Sequence, residues 1–71
     1  MDDERLVKLG DRIRELRESK GLSQTQLAHM IDKDQPSINR VENGNINPSY
    51  IYLSEIAKGL QISLAELVSV H

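Results

Sequence analysis

Two short amphipathic segments separated by a tight turn constrain the fold of this chain more than any other feature. In the first, Leu27, Ala28 and Ile31 fall on one helical face, and in the second, Ile38 and Val41 do so. The other faces carry amides and hydroxyls where a solvated helix would carry charges. The pattern predicts two helices that pack against each other and leave a hydrogen-bonding side exposed.

Helix signals extend to both sides of this pair, and no segment has the alternation of a strand. A first helix of about four turns is predicted to end at Gly21. Ser23 and Gln26 have the spacing of a capping box that begins the second helix. The apolar stripe of the first helix consists of Leu6, Leu9, Ile13 and Leu16.

The turn and the third helix are defined by their end residues. Asp32 and Lys33 make the turn, and Asp34 is expected to cap the third helix. Pro36 then occupies the second helical position, where its missing N–H costs nothing. Gly44 is predicted to end the helix.

Two further helices are predicted after a short loop. Asn47 followed by Pro48 has the form of an N-cap and first helical residue. Ser63 and Glu66 have the spacing of a second capping box, which opens a short fifth helix. The fourth helix has the stripe Tyr50, Leu53, Ile56, Ala57 and Leu60. The apolar residues of the fifth, which are expected either to fold back or to meet a partner, are Leu64, Leu67 and Val68.

Composition limits how such a bundle is stabilised. The chain has 71 residues and no cysteine, so we expect one domain, residues 1–71, held by apolar packing without disulfides or thiolate zinc sites. The charged N-terminus lacks the apolar core of a signal peptide, and no apolar run approaches the ~18 residues of a membrane span. We therefore expect a cytoplasmic protein without a membrane partner.

The charge distribution bears on nucleic-acid binding. The net charge is −2, but residues 35–54 contain only two charged side chains, Arg40 and Glu42. The exposed side of the helix pair is therefore neither acidic nor strongly basic. We expect modest non-specific affinity for a polyanion.

Catalytic and metal-binding chemistry are not predicted. The two histidines, His29 and His71, lie far apart in the chain and have no cysteine or spaced carboxylates beside them. No combination of nucleophile, base and orienting group is evident. We expect no enzyme activity, no metal and no cofactor.

Six motifs occur in the order and spacing of a known family. They are Ile13-Arg14-Glu15-Leu16-Arg17, Gly21-Leu22-Ser23-Gln24, Leu27-Ala28, Ser37-Ile38-Asn39-Arg40-Val41-Glu42-Asn43-Gly44, Asn47-Pro48-Ser49 and Ile56-Ala57-Lys58. On these residues the chain resembles the Cro and phage-repressor type of helix-turn-helix domain, also called the xenobiotic-response-element family. The resemblance implies an all-α fold, a compact, lambda-repressor-like five-helix bundle whose helix-turn-helix spans about residues 23–44 and whose third helix enters the major groove of DNA.

The resemblance also implies which residues bind DNA, and side-chain chemistry suggests their roles. Gln35 can pair with adenine and Arg40 with guanine, each through two hydrogen bonds. Pro36 can at most pack on a thymine methyl group, and Gln24 matches a phosphate contact. The full set of expected DNA-binding residues is Gln24, Thr25, Gln35, Pro36, Ser37, Asn39, Arg40, Asn43 and Asn45.

Two further positions match an ion pair that locks the first helix onto the third in the family, namely Arg17 and Glu42. The chain departs from the family pattern at Asp32, where glycine is usual, and at Asp34. The Asp34 carboxylate is a good cap but would repel phosphate unless it points away or reads a cytosine. Asn45 and Asn47 stand where Lys and Arg are often found. These departures weaken the electrostatic contribution to binding.

The hypothesis that follows is a transcriptional repressor that binds a palindromic operator as a homodimer. An exposed apolar patch of Ile51, Tyr52, Val68 and Val70 is a candidate dimer contact. One alternative is an antitoxin that binds a toxin protein through its last two helices and represses its own operon. Another is a protein-interaction module that has lost DNA binding, in which case Gln35, Asn39 and Arg40 form an ordinary solvated face.

Overall fold

The computed structural model describes residues 3–69, and within that range the backbone forms five α-helices and no strand. They are α1 (Glu4–Ser19), α2 (Gln24–Met30), α3 (Gln35–Glu42), α4 (Tyr50–Leu60) and α5 (Leu64–Leu67). The predicted all-α, five-helix class is confirmed. Val70 and His71, to which the sequence analysis refers, lie outside the described residues.

The ends of α1, α2 and α3 follow from the residues that cap them. Gly21 has a φ of 72° directly after the C-cap of α1. Ser23 and Gln26 form the predicted capping box at the start of α2. Asp32 adopts the left-handed φ of 58° that the turn requires, and the Asp34 side chain caps α3. The turn therefore forms with Asp at the position where the family usually has glycine.

The predicted start of α4 at Asn47 is wrong. Ser49 is the N-cap, and its hydroxyl accepts a hydrogen bond from the backbone N–H of Tyr52 at 3.0 Å. The expected burial of Tyr50 in the stripe of α4 is also wrong, because 73% of this residue is exposed at the first helical position. Tyr52 is the half-buried tyrosine and packs against the core.

Nine apolar side chains from all five helices form the core: Ile13, Leu27, Ala28, Ile38, Val41, Ile56, Ala57, Leu60 and Leu67. Leu67 is fully buried, so α5 folds back onto the bundle. The α2–α3 and α1–α3 contacts are the most extensive between helices. The core therefore holds α3 by its apolar side and leaves the opposite side free.

Gly10 allows α1 to approach the end of α3 closely. A Cβ at this position would lie 2.6 Å from the carbonyl oxygen of Val41 and would also overlap that of Glu42. Both neighbours are backbone atoms, which cannot move without displacing α3. The glycine thus sets the distance between the two helices.

Among residues 3–69, no helix is both long and apolar enough to cross a bilayer. The same part of the chain contains no group of three histidine or carboxylate side chains placed to hold a metal ion.

Gly10→Ala should destabilise the domain, although alanine normally improves a helix interior by about 1 kcal/mol relative to glycine. Overpacking against the backbone of α3 costs about 1–3 kcal/mol. Thermal unfolding should show a Tm lower by several degrees. Gly59→Ala is the control with a smaller expected loss, because its nearest neighbours are the side-chain atoms Ile31 Cγ2 and Leu27 Cδ1. A Gly10→Ala variant more stable than the wild type would contradict the close approach.

Candidate nucleic-acid interface

The side of α3 that faces away from the core carries the polar residues singled out from the sequence. Pro36 and Arg40 are exposed, and Gln35, Ser37 and Asn39 are half-buried. Ile38 and Val41 occupy the opposite side and are buried in the core. None of the outward side chains is enclosed by the bundle, so α3 presents a continuous polar surface.

Four of the expected DNA-binding residues are brought together by side-chain hydrogen bonds. They are Gln24 at the start of α2, Gln35 and Asn39 on α3, and Asn43 at its C-cap. Gln35 Nε2 donates to Gln24 Oε1 at 2.7 Å. Within residues 3–69 no side-chain hydrogen bond joins Thr25, Arg40 or Asn45 to this group, and all three are exposed.

Ser37 is directed toward α4 rather than toward the amide groups. Its hydroxyl lies 2.9 Å from the carbonyl oxygen of Asp34 and 2.7 Å from the Tyr52 hydroxyl. The Asp34 carboxylate accepts from the Ser37 backbone N–H at 2.8 Å. The acidic residue at the front of α3 is therefore a helix cap, and its exposed carboxylate remains a negative charge beside the polar surface.

A buried ion pair between Arg17 and Glu42 lies directly behind this surface. Arg17 Nε donates to Glu42 Oε2 at 2.6 Å, and Arg17 Nη2 donates to Glu42 Oε1 at 3.1 Å. Glu42 is 1% exposed and Arg17 8%. The hydrogen bonds that Arg17 donates to Glu42 raise the pKa of Arg17 above its ordinary value, against the opposing effect of burial. The pair ties α1 to the last turn of α3.

Arg14 also belongs to this region, although its sequence position predicts no role for it. Arg14 Nη2 donates to Asn43 Oδ1 at 3.0 Å and to the carbonyl oxygen of Glu42 at 3.3 Å. Arg14 lies next to the apolar stripe of α1, a position that does not indicate which atoms its guanidinium contacts. Those atoms become evident only when α1 packs on α3. No local pattern could have indicated this contact.

An exposed polar helix held by a second helix and a buried ion pair defines a helix-turn-helix DNA-binding domain. Comparisons with known proteins agree with this class. A helix-turn-helix family model matches residues 13–67. The control protein C.MunI of a Mycoplasma species is 39% identical over 64 residues, covering 89% of this chain and 86% of that protein.

Solved structures show the same fold. The restriction-modification controller protein C.AhdI from Aeromonas hydrophila is 42% identical, with a TM-score of 0.90 over 92% of this chain and 98% of that one. SinR, a master regulator for biofilm formation whose structure was determined in complex with DNA, is 27% identical, with a TM-score of 0.81 over 86% of this chain and 98% of that one.

The chain belongs to the helix-turn-helix family of the Cro and phage-repressor type. That membership places it among DNA-binding transcriptional regulators and not among enzymes.

Glu42→Ala should destabilise the domain by about 3–5 kcal/mol, because it leaves the Arg17 charge buried without its partner. Urea unfolding measures the loss. Replacing Arg17 and Glu42 together by methionine should recover most of it, since no unpaired charge remains. Lys8→Ala removes an exposed contact with Glu4 at 3.6 Å and should change little. A Glu42→Ala variant as stable as Lys8→Ala would refute the structural importance of the pair.

Proposed function

We propose that this protein is a sequence-specific transcriptional regulator that inserts α3 into the major groove and binds a palindromic operator as a homodimer. The observation that carries the proposal is the outward side of α3, which is polar, almost uncharged and accessible. Its amides and single guanidinium can hydrogen-bond base edges, which distinguish all four base pairs in the major groove. Occupying a promoter in this way would repress transcription in the cytoplasm.

The roles of the individual residues follow from their exposure and chemistry. Arg40 can contact guanine O6 and N7, and Gln35 can contact adenine through the amide atoms that its hydrogen bond to Gln24 leaves available. Pro36 is exposed where it can meet a thymine methyl group. Contacts to phosphates and to the rest of the backbone are assigned to Gln24, Thr25, Ser37, Asn39, Asn43 and Asn45.

Electrostatics make base contacts especially important for this chain. With a net charge of −2, long-range attraction to DNA is weak. Base contacts, which form only on the correct sequence, then supply a larger share of the affinity than they would in a strongly basic protein. We expect a shallow dependence of binding on salt and a large ratio of specific to non-specific affinity.

Exposed apolar residues on α4 and after α5 support dimerisation. Tyr50 is 73% exposed, Ile51 68% and Val68 41%. These helices lie outside the helix-turn-helix, so a second copy can cover them without blocking α3. A two-fold dimer would place its recognition helices about 34–36 Å apart, one turn of B-DNA.

Two relatives suggest what such a regulator controls. C.MunI is named as a control protein and C.AhdI as a restriction-modification controller, and these proteins are 39% and 42% identical to the chain. We extend the proposal to the control of restriction and modification genes. Neighbouring reading frames for an endonuclease and a DNA methyltransferase would support it, whereas an adjacent toxin gene would favour the antitoxin alternative.

Arg40→Ala should abolish a guanine preference at one or two operator positions and cost about 1–3 kcal/mol of binding free energy on the cognate site. The cause is the loss of two hydrogen bonds to guanine. Titration of the cognate duplex and of single-base variants measures the effect. Lys58→Ala, which removes the same charge from an exposed position on α4, is the matched control. Equal weakening on every sequence would contradict base recognition by Arg40.

Ile51→Glu should shift the protein to monomers and weaken operator binding, because it places a charge in the proposed apolar dimer contact. Sedimentation equilibrium gives the oligomeric state, and a half-site duplex separates dimerisation from groove binding. Gln61→Glu, an exposed change of similar shape at the opposite end of α4, controls for added charge. A wild-type protein that is monomeric both alone and on the operator would exclude the dimer.

A further inference from the structure

The four amide side chains behind and along α3 form a continuous hydrogen-bonded group, here called the amide array and consisting of Gln24, Gln35, Asn39 and Asn43. Asn43 Nδ2 donates to Asn39 Oδ1 at 3.1 Å. Asn39 Nδ2 and Gln35 Nε2 both point at Gln24 Oε1, at 3.4 and 2.7 Å. The nitrogens of Gln35 and Asn39 therefore converge on one oxygen.

The two ends of the amide array are held by groups of opposite hydrogen-bonding character. Gln24 Nε2 donates to Glu42 Oε1 at 2.9 Å, and Arg14 Nη2 donates to Asn43 Oδ1 at 3.0 Å. A carboxylate only accepts hydrogen bonds and a guanidinium only donates them. Each amide has a nearly symmetrical shape, so these ends decide which way it points.

The carboxylate of Glu42 is the more firmly placed end. Its side chain is fully buried, and Arg17 holds both of its oxygens. Turning the Gln24 amide over would bring its oxygen against the carboxylate and lose a charge-assisted hydrogen bond, the stronger kind. Gln24 must then present its Oε1 acceptor to α3, and Gln35 must donate a hydrogen bond to that oxygen through Nε2.

We propose that Glu42, which is buried and does not reach DNA, is a positioning residue for base recognition. Through Gln24 it determines which atoms of Gln35 face the major groove. The inference rests on the proposed function and explains why Gln35 prefers one base over another. A merely structural Glu42 would stabilise α3 without influencing that preference.

The hydrogen-bonding atoms that Gln35 has left predict which base it recognises. With one Nε2 hydrogen committed to Gln24, Gln35 retains its Oε1 acceptor and one N–H donor. Adenine offers the N6 amino group and the N7 acceptor at its major-groove edge, which match these two atoms. Guanine offers two acceptors, O6 and N7, which would require both N–H groups of an amide turned the other way. The amide array therefore selects adenine over guanine.

The test compares the base preferences of variants on duplex DNA. Sites are first selected from random duplexes with the wild-type chain, and Gln35→Ala identifies the base position whose preference depends on Gln35. Affinities are then measured for duplexes carrying adenine or guanine at that position. The variants are Gln24→Met, which removes the link while keeping a similar volume, and Glu42→Gln, which offers a donor in place of an acceptor. Thermal unfolding establishes that each variant is folded.

The wild type should prefer adenine by at least about fivefold, the range expected for a paired hydrogen-bond contact. Gln24→Met should reduce this preference to within about twofold, and folded Glu42→Gln should do the same. The preference at positions read by Arg40 should persist in both. Thr25→Ala is the control from the same helix turn: as a phosphate contact it should weaken binding on all sequences without changing the preference.

Several outcomes overturn the inference. If Gln24→Met loses affinity evenly and keeps the preference for adenine, Gln24 is only a phosphate contact. A folded Glu42→Gln with the wild-type preference would show that Glu42 has no positioning role, and should that variant not fold, Gln24→Met decides. Failure of the wild-type chain to select any site would instead overturn the proposed function, and the inference with it.

Discussion

The buried ion pair of Arg17 and Glu42 is the interaction on which both the fold and the interface depend. Burying two charges is costly unless their hydrogen-bonding groups are satisfied. Glu42 accepts two hydrogen bonds from Arg17 and one from Gln24, and Arg17 also donates to the carbonyl oxygen of Leu22 at 2.7 Å. The same contacts that fasten α1 to α3 therefore supply the support for the amides on the outer side of α3.

The DNA-binding surface proposed on α3 carries almost no charge, which has physical consequences for binding. Most proteins that bind DNA draw on the release of counterions from phosphates, which gives affinity without specificity. Around α3, Glu42 is buried and paired with Arg17, so its charge is compensated, whereas the exposed carboxylate of Asp34 caps the helix and keeps its charge. Under the proposed function, hydrogen bonds from the amides and from Arg40 provide the discrimination between bases, and their geometry becomes correspondingly important.

Local signals predicted much of this structure, and long-range packing accounts for what they missed. The caps of α2 and α3 were predicted because capping depends on residues within one turn. Asn47 and Ser49 are both good capping residues, so sequence alone could not choose between them. Tyr50 has the spacing of the apolar stripe, but it is the first residue of α4 and 73% of it is exposed. The close approach at Gly10 depends on how α1 packs on α3. The hydrogen bonds within the amide array likewise join residues that are adjacent only after folding.

The central claim is that the outer side of α3 contacts DNA bases. Backbone amide chemical shifts of isotopically labelled protein, followed by NMR during titration with a duplex selected from random DNA, test it most directly. The account predicts that the largest changes fall on residues 24–25 and 35–45, and that exposed residues of α5 such as Ala65 change little at constant oligomeric state. Changes confined to α4 and α5, with those of α3 unaffected, would contradict it.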